Sequence, residues 1–326
     1  MRKLAVVACS VALSLLSAAV RGQGDYPQKP IHLIVPFAPG GASDFVARII
    51  GPALSDELKQ PIIVDNKSGA AGNIGMEAAA KSPPDGYTIF IGNVGATAIN
   101  PSIFGNLLRV KPQEDFIAVS KIADVADVLV LSNDVPVKTA KEFVQYAAER
   151  NGQLNFASPG SGSQNRLEME YFMKATGISM QHIPYKGGAG PAITDLLGGH
   201  TQAMFTTLPS AMQFIKAGRL RALAVTTAQR VPELPSVPTL DELGYPGMVS
   251  TSWQGVFVPR GTPSPIVGKL FSVTKKVMGN KSIQERLAVG GAIASTSNSP
   301  EEFAAYLKSE SERWGNLVRE RNIGMD

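Results

Sequence analysis

An apolar stretch, Ile31 to Val35, runs directly into VPFAPGGASD (35–44), and a helical pattern begins straight after it. Alternation of Ile31, Leu33 and Val35 with His32 and Ile34 reads as a strand. Strand, glycine turn and helix start in that order make a βα unit whose turn can hold an anion. Gly40 and Gly41 carry no side chain, so backbone N–H groups there can approach a ligand closely. The unpaired N–H groups of the first helical turn then face any negative charge placed before them. The same residues also fit an ordinary βα turn in which Ser43 or Asp44 only caps the helix.

The pattern continues in the same style. Strand-like runs at Ile31–Val35, Ile62–Val64 and Tyr87–Ile91 alternate with helical stretches, the first of them carrying Val46, Ile49, Ile50, Leu54 and Leu58. Gly51-Pro52 predicts a kink or restart in that helix, because proline removes a backbone bond and crowds the preceding turn. A second series follows: strands at Val128–Leu131, Leu154–Ala157, Met180–Ile183, Gln202–Phe205 and Leu220–Val225, with helices at Thr139–Arg150, Arg166–Ala175 and Pro191–Leu197. A proline-rich loop (230–246), an apolar run Trp253–Val258, and helices at Ile266–Met278, Ile283–Val289 and Pro300–Arg319 close the chain. The fold class is therefore α/β, parallel sheets covered by helices, in two units. Whether the helical tail returns to the first unit stays open on pattern alone.

At 326 residues the chain is long enough for two domains. Arg2 and Lys3 precede an apolar stretch from Leu4 to Val20 with small residues Ser17-Ala18-Ala19, which reads as a secretory signal over residues 1–24. It is too short and wrongly flanked for a membrane span, and no later run reaches spanning length. Removing the signal takes away Arg2, Lys3 and Arg21 and no acid, leaving 28 basic against 27 acidic residues. The pI near 9.1 thus belongs partly to the signal, and without Lys/Arg runs nucleic acid is not an expected partner. The single cysteine, Cys9, also lies in the signal, so the exported chain has no disulfide, thiolate metal site or cysteine nucleophile. Reading Cys9 as a lipidation site would leave only about five apolar residues before it, short of a normal h-region.

A second glycine- and hydroxyl-rich loop, Ser158-Pro159-Gly160-Ser161-Gly162-Ser163-Gln164, follows the strand Leu154–Ala157 and again precedes a helix. Further polar turns stand at Gly92-Asn93, with Thr97 and Asn100 beyond, at Tyr185-Lys186-Gly187-Gly188 and at Thr206-Thr207. In open α/β sheets ligands gather beyond the carboxyl ends of strands, so these loops are candidates for one site; each is also explicable as a turn. Lys186 and Arg166 could be charge partners for an anion, or solvated surface groups.

Enzyme signatures are missing. His32, His182 and His200 are scattered without a His-x-x-x-His pair, so no zinc or other metal site is expected. Gly160–Ser163 is neither a nucleophile elbow nor a Walker loop, and GAAGNIG (69–75) lacks the G-x-G-x-x-G spacing of a dinucleotide cofactor site. No cofactor and no enzymatic activity are expected.

Several segments in fixed order carry a family resemblance: PQKPIHLIVPFAPGGASD (27–44), IIVDNKSGAAGNIGMEAAAKSPPDGYTIFIG (62–92), AINPSIF (98–104), LNFASPGSGS (154–163), HIPYKGGAGPAITDLLGGH (182–200), LPSAMQFIKAGRLRALAVTTAQR (208–230) and TSWQGVFVPRGTP (251–263). From about Tyr26 to the C-terminus the chain resembles the Bug-type solute-binding proteins of tripartite tricarboxylate transporters. The resemblance implies a type II periplasmic-binding-protein fold, two α/β lobes with a ligand cleft between them and two crossing segments, near Asp127–Leu131 and Ser252–Phe257. It sends the tail back to the first lobe, giving lobe 1 as 25–127 plus 254–326 and lobe 2 as 128–253. It also implies a monomeric periplasmic receptor that captures a small carboxylate by lobe closure and delivers it to inner-membrane permease subunits. Signalling to a sensor is an alternative role, and a secreted hydrolase a more distant one.

Carried over residue by residue, the resemblance places Phe37, Ala38, Pro39, Gly40, Gly41, Ser43 and Asp44 on one jaw and Ser158, Ser161, Gly162, Ser163, Gln164 and Arg166 on the other. Asn93, Thr97, Tyr185, Lys186 and Thr206 complete the implied cleft. The family usually has aspartate and asparagine where Thr206-Thr207 stands, and histidine where Arg166 and Thr97 stand. One acid fewer and a base more would make the cleft more positive. A dianion or aromatic carboxylate is the expected ligand, rather than an amino acid whose ammonium would want the missing acid.

Overall fold

The computed structural model describes residues 26–320, 323 and 324; the expected signal lies outside them. Among the described residues eleven strands form two sheets: β1 (Ile31–Val35), β2 (Ile62–Asn66), β3 (Thr88–Asn93), β4 (Phe116–Val125), β5 (Asp127–Ser132), β6 (Asn155–Ser158), β7 (Gln181–Pro184), β8 (Ala203–Thr207), β9 (Leu220–Val225), β10 (Ser252–Pro259) and β11 (Ala292–Ala294). The first sheet has the order β11-β4-β10-β3-β1-β2 and the second β7-β6-β8-β5-β9.

Each sheet is built around a parallel trio. β1 lies parallel to both β2 and β3, and β6 parallel to both β7 and β8. Parallel neighbours require crossovers, which the helices Ala42–Leu58 and Asn73–Ala80 supply in one lobe, and Gln164–Thr176 and Ala189–Leu197 in the other. Antiparallel strands then extend each trio: β10 against β3 and β4, β5 against β8 and β9. Helices cover both faces, so the strands are apolar on both sides, as the wholly buried β5, β8 and β10 show.

The helix Ala42–Leu58 runs through Pro52 without the predicted restart. Pro52 is on the exposed side, where water can serve the carbonyl that the proline leaves unpaired. Several elements were not legible in the sequence, β4 and two helical segments at the strand ends among them. β4 is interrupted by Lys121 and Asp124, which pair with each other at 2.7 Å. Helix Leu208–Lys216 starts immediately after β8, and Gly95–Ile99 winds as a π-helix from the end of β3 into the helix Asn100–Phe104, where the sequence suggested only polar turns.

The chain passes between sheets twice. β4 ends at Val125 and β5 begins at Asp127, so Ala126 alone makes the first passage. On the return, Ser250 N–H still donates to Thr226 O beside the second sheet, while Ser252 already pairs with Val125 in the first. The passages therefore lie next to the segments expected to cross. Asp127–Ser132 belongs wholly to the second sheet and Ser252–Pro259 wholly to the first, and the passages sit one or two residues earlier.

The tail does return to the first sheet. In the helix Pro300–Glu320, Phe303 is fully buried against Trp253 and Phe257, with ring centroids 5.8 and 5.1 Å away. Glu310 accepts from both Trp253 Nε1–H and Trp314 Nε1–H at 3.0 Å, which ties the helix to β10. Replacing Phe303 by alanine should remove about 3–5 kcal/mol of stability, the range for a buried phenylalanine. Urea unfolding checks this, and a loss under about 1 kcal/mol would contradict the packing.

Candidate functional site

The carboxyl ends of β1, β3, β6 and β8 converge between the sheets on a cavity of about 40 Å³. Phe37, Gly41, Ala42 and Ser43 line it from the first lobe, with Ala71 and Asn93–Gly95 beside them. Pro159, Ser163–Asn165, Ala189 and Thr207 line it from the second, and Ser252 stands at the passage between lobes. None of these lining side chains is charged.

What the lining residues share is position. Ala42 and Ser43 open the helix Ala42–Leu58, Gln164 and Asn165 open Gln164–Thr176, Ala189 opens Ala189–Leu197, and Thr207 precedes Leu208–Lys216. Four helix N-termini, one from the first lobe and three from the second, thus meet at one small space. First-turn N–H groups have no partner within a helix, and a terminus favours an anion by about 0.3–1 kcal/mol, up to about 2 when partly buried. In Leu208–Lys216 the first amide already donates to Ala126 O at 2.8 Å and Pro209 has none, so the free amides come from the other three.

The first jaw is braced from behind. Asp44 Oδ2 accepts from Gly40 N–H at 3.0 Å, its carboxylate takes Arg48 Nε–H at 2.9 and 3.0 Å, and Oδ1 takes Asn66 Nδ2–H at 3.0 Å. Burial pushes the Asp44 carboxyl up, but the bonds from Arg48, Gly40 and Asn66 outweigh it and hold it below its ordinary range. Gly40 has φ +91°, which glycine alone adopts freely. Its amide therefore closes the turn instead of facing a ligand. Ala38 N–H is also engaged, donating across the lobes to Gly187 O at 3.1 Å. The amides left for an anion on this jaw are those of the helix start.

The second jaw has the same economy. Ser163 caps its helix by accepting from Arg166 N–H at 3.3 Å, which leaves its hydroxyl proton to donate. Asn93 gives Oδ1 to Ala96 N–H at 2.9 Å, so its NH₂ is the end left to a ligand. Ser43 donates to Gln254 Oε1 at 2.7 Å. The jaws meet closely: a Cβ on Gly162 would stand 1.8 Å from Asn100 Oδ1, and one on Gly188 3.3 Å from Phe37.

Of the residues implied by the sequence, Phe37, Gly41, Ser43, Asn93, Ser163 and Gln164 line the cavity. Ala38, Pro39 and Gly162 sit at the contact between jaws, with Pro39 O 3.3 Å from where a Cβ on Gly190 would lie, while Gly40 is held in its own turn by Asp44. Ser158 bonds His182 Nε2 at 2.6 Å, and Ser161 O accepts from Arg166 Nη1 at 3.2 Å. Thr97 donates to Asn93 O at 2.7 Å within its own helical turn. Tyr185 donates to Asp195 Oδ2 at 2.6 Å, and Lys186 is exposed.

Two placements alter the electrostatic expectation. Arg166 is turned from the cavity toward Gly324 O at 2.7 Å and Glu170 at 3.6 Å, so no extra base reaches the cleft. Thr206 is fully buried on the other face of β8, and Thr207 lines the cavity in its place, because successive strand side chains alternate. The donors facing the cavity are backbone amides and uncharged side chains, not cationic ones.

Directly behind Gln164 and Asn165 lies a group the sequence did not single out. Asp127 is 0% and Glu168 4% exposed. Asn165 Nδ2–H donates to Asp127 Oδ1 at 2.6 Å and Glu168 Oε2 at 3.1 Å; Gln164 Nε2–H donates to Glu168 Oε1 at 2.8 Å and Asp127 Oδ2 at 3.3 Å. Ser250 O–H donates to Glu168 Oε1 at 2.6 Å. Burial raises both carboxyls, Asp127 well above its ordinary range with the facing Glu168 charge adding to the effect, which favours the pair holding a proton.

A larger cavity of about 310 Å³ lies on the far side of this pair, between Leu167, Tyr171, Met248, Arg313 and Trp314. No helix N-terminus opens into it. Among the described residues no group of three or more His, Cys, Asp or Glu could hold a metal ion. No helix among them is long and apolar enough to cross a membrane.

Comparison with known proteins agrees with this architecture. The model of the tripartite tricarboxylate transporter family receptor matches residues 46–323. Protein BugT of Bordetella pertussis (strain Tohama I) is 37% identical over 320 residues, covering 98% of this chain and 97% of that protein. The chain belongs to this receptor family. The Rpa4515 protein of R. palustris, solved with adipate, superposes with a TM-score of 0.88 at 35% identity, covering 92% of this chain and all of the other. MatC from Rhodopseudomonas palustris, solved with bound malate, gives 0.84 at 30% identity, covering 90% and 100%. The fold is the two-lobed α/β fold of periplasmic binding proteins.

A proton held by the pair has a measurable consequence. Its folded-state carboxyl binds a proton that the unfolded chain releases near pH 4, so stability is fully present below that pH and declines as pH rises through the raised value. Asp127→Asn mimics the protonated form and should flatten the alkaline side of this dependence. Thermal melts of both proteins across pH 4–9 check it, and parallel curves would contradict a shared proton.

Proposed function

We propose that this family member is a periplasmic receptor that binds a short dicarboxylate between its lobes and presents it to an inner-membrane permease. The observation that carries the reading is the convergence of four helix N-termini, from both lobes, on one small cavity with uncharged walls. Such a site offers hydrogen-bond donors on opposed sides and no cation to select for size or hydration. A dicarboxylate can spread its two charges across the two jaws. Adipate and malate in the structural relatives are carboxylates of this kind. An amino acid fits less well, because the lining residues offer its ammonium no carboxylate.

Binding is coupled to closure. The ligand gains its full set of contacts only when both jaws reach it, so it draws an open–closed equilibrium toward the closed form by its differential affinity. Export through residues 1–24 would place the receptor where the permease can meet it.

Saturation at about 1,000 times the dissociation constant should add about 4 kcal/mol against unfolding. A thermal-shift panel of C3–C6 dicarboxylates, aromatic carboxylates and amino acids should therefore show an upward shift of several degrees for dicarboxylates. Tight binding of aspartate or glutamate with none of dicarboxylates would contradict the assignment. Gly162→Ala tests closure separately. Its methyl would meet Asn100 Oδ1, so affinity should fall tenfold or more while the unliganded melting temperature changes little. Unchanged affinity would show that the jaws need not meet.

A further inference from the structure

Gly69, Ala70, Ala71 and Gly72 follow one another with φ of +131°, +47°, +55° and +93°. Glycine adopts such backbone freely, but at the two alanines the Cβ crowds the following carbonyl oxygen. A residue with a side chain stays in this region only where its surroundings hold it there. Here they do. Gly72 N–H donates to Gly69 O at 3.0 Å, and Asn100 Nδ2–H donates to Ala71 O at 3.0 Å. The turn also has no slack beside it, since a Cβ on Gly72 would stand 3.1 Å from Phe37 and 3.3 Å from Ala96.

The two alanines differ in where they stand. Ala70 is exposed, whereas Ala71 is 5% exposed and lines the cleft cavity. Across from it lies Gly160 of the second jaw, where an added Cβ would stand 3.1 Å from the Ala71 methyl. The methyl of one lobe is thus set against bare backbone of the other. Glycine at position 71 would remove the strain and the methyl together, so the methyl is what the strained turn keeps in place. In a cavity of about 40 Å³, one methyl on the wall bears directly on what fits.

We propose that Ala71 is a specificity-determining residue, its methyl a fixed stop between the jaws that limits the bulk of the carboxylate they can close on. This rests on the carboxylate reading above and adds the residue that sets its size limit. A methyl has no rotamer to change, and the pinned turn behind it cannot retreat, so the limit is sharp. One methylene of room in an apolar pocket is worth about 10- to 200-fold in discrimination, enough to separate acids that differ by a single carbon.

The test is calorimetry with unbranched dicarboxylates of three to six carbons and their 2-methyl forms, on the wild type and two variants. Ala71→Gly removes the methyl; Ala71→Asn adds bulk with a residue that tolerates left-handed backbone. Ratios of affinity are compared, because a looser turn would weaken all acids alike. In Ala71→Gly the ratio between acids one carbon apart should move by about threefold or more toward the larger acid. In Ala71→Asn it should move toward the smaller, or binding should be lost with the fold intact. If Ala71→Asn fails to fold, Ala71→Gly decides alone. A smaller change in the Ala71→Gly ratios overturns the proposal. Melting without ligand is a second readout: Ala71→Gly should match or exceed the wild type, and a fall of more than about 3 °C would show that the turn holds no strain and overturn it too. Acids that bind with preferences unmoved overturn this inference alone. Failure of every acid to bind the wild type overturns the carboxylate reading, and the size limit with it.

Discussion

Two carboxyl groups buried side by side cannot both ionise, and this constraint organises the middle of the molecule. Asp127 follows the single residue that carries the chain from one sheet to the other. Glu168 sits one turn into the helix whose N-terminus lines the cleft, and Ser250, on the returning segment just before β10, donates to it at 2.6 Å. Asp127 O also accepts Thr226 N–H at 3.0 Å, and Thr226 O takes Ser250 N–H at 3.0 Å. Hydrogen bonds around this carboxyl pair thus join both passages between lobes and the back of the cavity wall in a single network. A paired, hydrogen-bonded arrangement of this kind is costly to break, because removing any one partner leaves a buried group unanswered.

In front of that network the cleft solves a different problem. On the proposed function, an anion is held reversibly and without a countercharge. Helix starts do this with dipoles that are already ordered, so little reorganisation is needed when the ligand arrives. The cationic side chains nearby serve elsewhere: Arg48 grips Asp44, and Arg166 reaches Gly324 and Glu170. The Asp44 brace shows how the first jaw keeps its shape. By taking the Gly40 amide it locks the turn and leaves the helix start facing the cavity.

The sequence made the βα turns readable because they depend on local chemistry: alternating apolar residues, paired glycines and a helical repeat at once. The Phe37–Asp44 and Ser158–Gln164 loops were found for that reason. The direction of each side chain was not readable, because it depends on partners far away in sequence. Arg166 turns to Gly324 across 158 residues, and Thr206 and Thr207 exchange roles by strand alternation alone. β4 escaped notice because Lys121 and Asp124, which look like loop residues, neutralise each other on the strand. Asp127 and Glu168, 41 positions apart, carry no motif. Only the folded chain brings them together behind Gln164 and Asn165.

The central claim is that backbone amides of both lobes hold the carboxylate together. Amide proton shifts in ¹⁵N-labelled protein, titrated with a binding dicarboxylate, test it most directly. The account predicts downfield displacement of the Ala42 and Ser43 amides in one lobe and of Gln164, Asn165 and Ala189 in the other, saturating together at one dissociation constant. Displacement confined to one lobe, or saturating at two separate constants, would contradict it.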